Sequence, residues 1–130
     1  MLIADNRLTP ALERDLESLI EDDAPLAWWR RQVELGALGI IAVHVEGERV
    51  ASVLWRLDQH GGRPCFVICG AAGNHPRFDL MGSVLPALER YARELGCDLV
   101  RWHTRRRGLV ARGQAMGYGA AEFVLLKALA

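Results

Sequence analysis

A chain of 130 residues, 51% of them apolar, can bury one sizeable core and falls near the common size of a single domain. Sixteen Lys and Arg against sixteen Asp and Glu leave no net charge, which removes the long-range attraction that draws basic proteins to nucleic acid or anionic membranes. No apolar run approaches the roughly 18 residues of a membrane-spanning helix, and the opening MLIADNRLTP lacks a basic stretch followed by an apolar one, so the expected compartment is the cytoplasm.

Met1 to Asp5 can supply a short leading strand. Thr9-Pro10 sets an N-cap before a proline at the first helical position, and Leu12, Leu16, Leu19 and Ile20 then recur at helical spacing, which predicts a helix over roughly 10–22. Asp22 and Asp23 can cap a second helix from Pro25 to about Gly36, with Leu26, Trp29 and Val33 on one stripe. Adjacent Trp28 and Trp29 cannot both point into that stripe, so one of them is expected at the surface.

The run LGIIAVHVEGERVASVLWRLD holds two β-rich segments around Glu46-Gly47-Glu48, a hairpin signal. HGGRP turns the chain again, and CFVICGAAG, apolar throughout, reads as a strand covered on both faces. Met81, Val84, Leu85, Leu88, Ala92 and Leu95 then keep a helical period that Gly96 closes. Because Pro86 lacks an amide and its ring clashes with the preceding turn, the regular helix is expected to begin near Ser83. DLVRWHT is a further strand, RRRGLVARGQAM a short helix closed by Gly117, and AEFVLLKAL a closing strand. The order predicts an α/β fold with a mixed central sheet: an antiparallel first half, then a parallel pair joined through the crossover helix.

Three cysteines form no CxxC, and on a strand Cys65 and Cys69 would lie about 13 Å apart, too far to bridge, so buried free thiols are expected. No histidine and carboxylate share a metal-ligand spacing, so no metal site is expected, and no Ser or Cys sits in a nucleophile motif. His103, at the C-terminal end of DLVRWHT, is best placed for a general base, because ligands collect at strand C-terminal ends in such sheets; a structural histidine is the alternative. His44 reads as a strand residue, His60 as a turn residue, and His75 is within reach of a bound phosphate. Arg101, Arg105, Arg106, Arg107 and Arg112 concentrate charge that suits phosphate oxygens or an acidic partner, or that simply faces solvent; the neutral whole argues against nucleic acid.

The element order and the wording of several segments resemble the GNAT superfamily of acyl-CoA-dependent N-acetyltransferases over nearly the whole chain. VEGERVAS is similar to the family's charged hairpin, HPRFDLMGSVLPALERYARELGCD to its cofactor loop and long helix, and ARGQAMGY to its last helix and Gly-aromatic ending. The resemblance implies one GNAT-like domain over 1–130. In the family the loop before the long helix carries R/Q-x-x-G-x-G/A, whose small residues let backbone amides approach a pyrophosphate at a helix N-terminus. Here Arg77-Phe78-Asp79-Leu80-Met81-Gly82 keeps Arg77 and Gly82, replaces the middle glycine by Leu80, and adds the charge of Asp79. The family's tyrosine general acid, counted back from Gly117-Tyr118, falls on Gly113, which has no side chain.

The resemblance implies contacts to acetyl-CoA, as co-substrate, from Gly70, Ala72, Arg77, Gly82 and Ser83, with His103 as base and the arginine cluster within reach of the CoA 3′-phosphate. Two readings follow. One is an acyl-CoA-dependent N-acetyltransferase with a weakened phosphate cradle, acting on a small-molecule or protein amine. The other is a catalytically inactive GNAT-like protein-interaction module, similar to short relatives encoded in phage and prophage regions, that meets its partner through Trp28, Trp29 or the arginines. Self-association as a homodimer is compatible with either.

Overall fold

Among the described residues five strands make one sheet in the order β1-β2-β3-β4-β5: β1 (Leu2–Ala4), β2 (Gly39–Val45), β3 (Glu48–His60), β4 (Arg63–Gly73) and β5 (Leu99–Trp102). The structure is a computed structural model that describes residues 2–4, 10, 14, 26–73, 79–104, 106–121 and 124–129. Neighbours β1 to β4 pair antiparallel, and β4 pairs parallel with β5, Cys65 opposite Leu99 through Ile68 opposite Trp102. This is the mixed sheet that the sequence order predicts.

Both hairpins close through two-residue turns in the left-handed region, Glu46-Gly47 (φ 52° and 78°) and Gly61-Gly62 (φ 59° and 79°). Turns with positive φ at both central positions match the twist of the strands they join.

Helices α1 (Leu26–Glu34), α2 (Leu80–Glu94) and α3 (Arg107–Ala115) are seen among the described residues. Leu85, Leu88 and Ala92 of α2 cover one face, over Ile41, Val53 and the fully buried Phe66. Phe66 stacks on Trp55 at 5.0 Å and meets Tyr91 edge-on at 6.0 Å, geometries that aromatic pairs prefer. On the other face, Trp29 and Val33 of α1 pack with Leu38, Ile40 and Leu54. Trp28 is half exposed while Trp29 is buried, as adjacency on a helix requires.

Two expectations need correction. Helix α2 starts at Leu80 rather than near Ser83, and runs through Pro86. The missing Pro86 amide deprives only the carbonyl of Gly82, which lies at the surface where water can satisfy it. The extra turn is held by the Asp79 cap and by Met81 and Val84, which pack on the core. The expected closing strand is absent from the described part of AEFVLLKAL: residues 124–129 are irregular, and Val124, Leu125, Leu126 and Leu129 stand in solvent. A strand's hydrogen bonds come from a neighbour, and among the described residues β5 pairs with β4 alone. The helix expected over 10–22 lies outside the described residues, apart from Pro10 and Arg14.

Candidate functional site

The parallel pair ends early. β5 stops at Trp102, opposite Ile68, while β4 continues to Gly73 with partners only on its β3 side. At that point Leu54 pairs with Gly70 and Trp55 with Ile68, so Cys69 is an extra residue, a β-bulge. A bulge bends its strand, and this one sits directly after the last residue that β5 holds. Beyond it, the β4 edge from Gly70 to Gly73 has no strand partner on the side away from β3 among the described residues. Small side chains at Gly70, Ala71, Ala72 and Gly73 leave that edge approachable. At Gly73 even a Cβ would come within 2.4 Å of the Ala51 Cβ and the Val50 carbonyl.

The N-terminal end of α2 is already engaged. Asp79 is the N-cap of α2, and its carboxylate accepts a 3.2 Å hydrogen bond from the Gly82 amide. A Cβ at Gly82 would lie 2.7 Å from Asp79 Oδ2, so the glycine is what lets the carboxylate come so close. From α3, Arg112 Nη2 reaches both Asp79 oxygens at 2.5 Å. The Arg112 guanidinium, followed by the Gly82 amide, holds the Asp79 carboxyl below its ordinary value of 3.8. The sign follows: this contribution to stability is complete above that value and is lost as pH falls through the lower folded-state value. Asp79 therefore remains a carboxylate at neutral pH and occupies the place, at a positive helix end, where a phosphate would otherwise be attracted.

A cavity of about 1670 Å³ is lined by β5 from Leu99 to Trp102, by Cys65, Val67 and Cys69 of β4, by Trp28 and Trp29, and by Glu89 and Ala92. His103 and Tyr118 line it; Gly70, Ala72, Gly82 and Ser83 do not. The sequence-derived candidates thus fall in two places. Gly70 and Ala72 lie on the β4 edge, and Gly82 and Ser83 on the first turn of α2, with the Ser83 amide bonded to the Asp79 carbonyl. His103 is exposed just past β5. Arg77, His75 and Arg105 lie outside the described residues.

Trp102 explains why position 113 has no side chain. A Cβ there would lie 2.8 Å from the Trp102 indole, which also meets the Tyr118 ring edge-on at 5.8 Å. Tyr118 is held by its amide on the Gly113 carbonyl, and its hydroxyl is buried with no hydrogen-bond partner among the described residues. Burial, with a smaller contribution from Glu89, pushes its pKa up to about 12. The sequence marks Tyr118 only as the aromatic that follows Gly117; its orphaned hydroxyl depends on how α3 meets β5, which no local pattern encodes.

Other groups fall away from chemistry. Burial pushes the Cys65, Cys69 and Cys97 thiols up, so they stay protonated and unreactive at neutral pH. The arginine cluster disperses: Arg101 bonds Asp58 at 2.8 Å and His60 at 3.1 Å, Arg112 bonds Asp79, and Arg106 and Arg107 are exposed. Asp58 is lowered by the Gln59 amide and then by Arg101. Among the described residues no three His, Cys, Asp or Glu side chains gather as a metal site would need, and no helix is long and apolar enough to cross a membrane.

No protein-family model matches the sequence, and no curated protein is similar to it in sequence. Solved structures are similar in fold. A ribosomal-protein-alanine N-acetyltransferase from Brucella melitensis biovar Abortus superposes with a TM-score of 0.68 at 12% identity, covering 99% of this chain and 97% of that one. The aminoglycoside N-acetyltransferase AAC(6')-Iy in complex with CoA gives 0.65 at 15% identity, over 100% and 99% of the two chains. A transcriptional regulator from Bacillus halodurans gives 0.68 at 18%, over 99% and 100%. At such identities the likeness speaks for architecture alone, and together with the parallel pair that parts at a bulge it shows that this chain has the GNAT-like α/β fold.

Proposed function

We propose that the protein is an acyl-CoA-dependent N-acetyltransferase, built as one domain, that transfers an acetyl group to an amine. The observation that supports this most is the open β4 edge after the Cys69 bulge. An extended arm bearing amides can add to such an edge as a strand would, through main-chain groups at Gly70 and Ala72. Acetyl-CoA supplies an activated acyl group on such an arm. The fit is good for the arm and poor for the diphosphate, because Asp79 already holds the Gly82 amide that a phosphate oxygen would take. Arg77 and Ser83 are proposed to meet the diphosphate once Asp79 gives way.

The chemistry asked of the chain is modest. The acceptor nitrogen forms a bond to the acyl carbon as the carbon–sulfur bond breaks; the nitrogen loses a proton and the sulfur gains one. His103 is proposed to take the amine proton. The Tyr118 hydroxyl, protonated up to about pH 12, is proposed to supply a proton towards the sulfur. Gly113 supplies none.

The Asp79–Arg112 pair and the bare Gly113 favour a second reading, a fold kept for protein interaction without catalysis. A thermal-shift titration separates the two. Acetyl-CoA should raise the melting temperature progressively, by an amount that corresponds to about 2.7 kcal/mol at a hundred times its dissociation constant. An unchanged melting temperature at millimolar ligand would leave only the interaction module.

A further inference from the structure

Arg56 lines the cavity and is weakly held there. Side chains alternate along a strand, and Trp55, Phe66 and Trp102 pack in the cluster under α2, so their neighbours Arg56, Val67 and Arg101 lie on the opposite face, the one that α1 covers. Arg101 holds Asp58 Oδ2 at 2.8 Å and also reaches His60. Arg56 comes to that same oxygen only at 3.5 Å, and its side chain is 43% exposed. An ion pair that is long, shared and wet contributes little, so an incoming anion can draw the Arg56 guanidinium away at small cost.

A second wall on this face belongs to α1. Trp28 and Gln32, one turn apart on the helix, line the same cavity, as does Trp29. Trp28 is half exposed; Trp29 is 9% exposed, and its buried indole Nε1–H has no hydrogen-bond partner among the described residues. A buried donor left unpaired is costly, and an oxygen of a ligand would satisfy it. Trp29 packs with Leu54, which shares the α1 face with Arg56 two positions further along β3. Leu54 also pairs with Gly70, where β4 has lost β5, which puts the Arg56 and Gly70 backbones about 8 Å apart. Burial apart, the charge that acts most strongly on the Cys69 thiol at the bulge is that of Arg56. This corner is built by α1, β3 and β4, whereas Val124 and Leu126 of the same cavity belong to the C-terminal segment.

We propose that Arg56, with the Trp29 indole as a second donor, takes the carboxylate of the acceptor, so that the amine acetylated is one that carries a carboxylate a few bonds away and lays an apolar body against Trp28. A guanidinium offers two parallel N–H groups to the two oxygens of a carboxylate. One weakly held guanidinium also matches a singly charged anion, whereas a phosphate dianion would ask for a second. The acceptor role rests on the acetyl transfer proposed for this protein; the carboxylate site rests on Arg56 and Trp29 and does not depend on it.

Calorimetric titration of the full chain with phenylacetate, phenylacetamide and inorganic phosphate tests the site, and acetylation of phenylalanine against phenylalaninamide tests its use. Phenylacetate should bind at least about tenfold tighter than its amide, and tighter than phosphate, because only the carboxylate gains a charge-assisted pair of the right shape. Arg56→Gln should level the acid and the amide; the comparison of the two in the parent needs no variant to fold. In the coupled assay phenylalanine should show a KM at least about tenfold below that of phenylalaninamide, for the same reason. Absent binding, equal affinity for acid and amide, or a preference that survives Arg56→Gln would overturn the site, and tighter binding of phosphate would overturn its assignment to a carboxylate. Phenylacetate held through Arg56 with neither amine acetylated would keep the site and overturn its acceptor role together with the transferase reading. Acetylation of the amide as readily as of the amino acid would overturn the acceptor role and leave the transferase reading standing.

Discussion

Residues Cys65 to Ile68 and residues Gly70 to Gly73 belong to one strand but have opposite surroundings. The first group has β3 on one side and β5 on the other, with α2 over Phe66 and Ile68, and its side chains are buried to within 8%. The second has β3 as its one strand neighbour among the described residues; Ala72 packs against the α1 cluster, while Ala71 and Gly73 are exposed. One residue, Cys69, divides them. The contrast teaches that the fold keeps its most enclosed core and its open strand edge on adjacent stretches of the same backbone.

The largest expected effect is on the paired half. Phe66→Ala removes the most enclosed ring in the sheet and should cost about 3–5 kcal/mol of folding stability, read as a lower denaturation midpoint in urea. The open half should be spared: folded Phe66→Ala protein should bind a pantetheine thioester as the parent does. A loss of under about 1 kcal/mol would mean that the aromatic cluster does not carry the sheet.

A smaller effect is expected where α3 meets the end of β5. With its pKa raised from 10 to about 12, Tyr118 contributes stability that is complete below pH 10 and is lost as pH rises through about 12. Tyr118→Phe should flatten that alkaline decline in a series of denaturation curves. An identical decline in parent and variant would show that Tyr118 is not the group responsible.

Much of the sheet could be read from the sequence, because its determinants are local. Gly47, Gly61 and Gly62 mark the turns, the β-rich segments around Glu46-Gly47-Glu48 mark β2 and β3, and the apolar run at 65–68 marks a strand with both faces covered. What could not be read depends on distant partners. Asp79 looks like an unwelcome charge in a phosphate loop until α3 brings Arg112 to it, 33 positions along the chain. Gly113 looks like a lost acid until the Trp102 indole is seen in its space. VLLKAL has the wording of a strand, but a strand is a relation between two segments, and its neighbour is not specified by its own residues. The bulge at Cys69, on which the opening depends, has Gly70 directly after it as its one local sign, and a glycine in a strand does not by itself fix a register shift.

The central claim is that β4 offers an open edge to a thioester arm while Asp79 guards the N-terminal end of α2. Calorimetric titration of Asp79→Asn against the parent, with acetyl-CoA and with S-acetylpantetheine, addresses it most directly. Asparagine caps a helix about as well as aspartate, so the fold should be kept while the carboxylate and its grip on Arg112 are lost. The account predicts acetyl-CoA binding at least about tenfold tighter in the variant, a gain of about 1.4 kcal/mol, and no change for S-acetylpantetheine, which lacks the diphosphate. Equal acetyl-CoA affinity in the two proteins would contradict the guard, and no binding of S-acetylpantetheine to either would contradict the open edge.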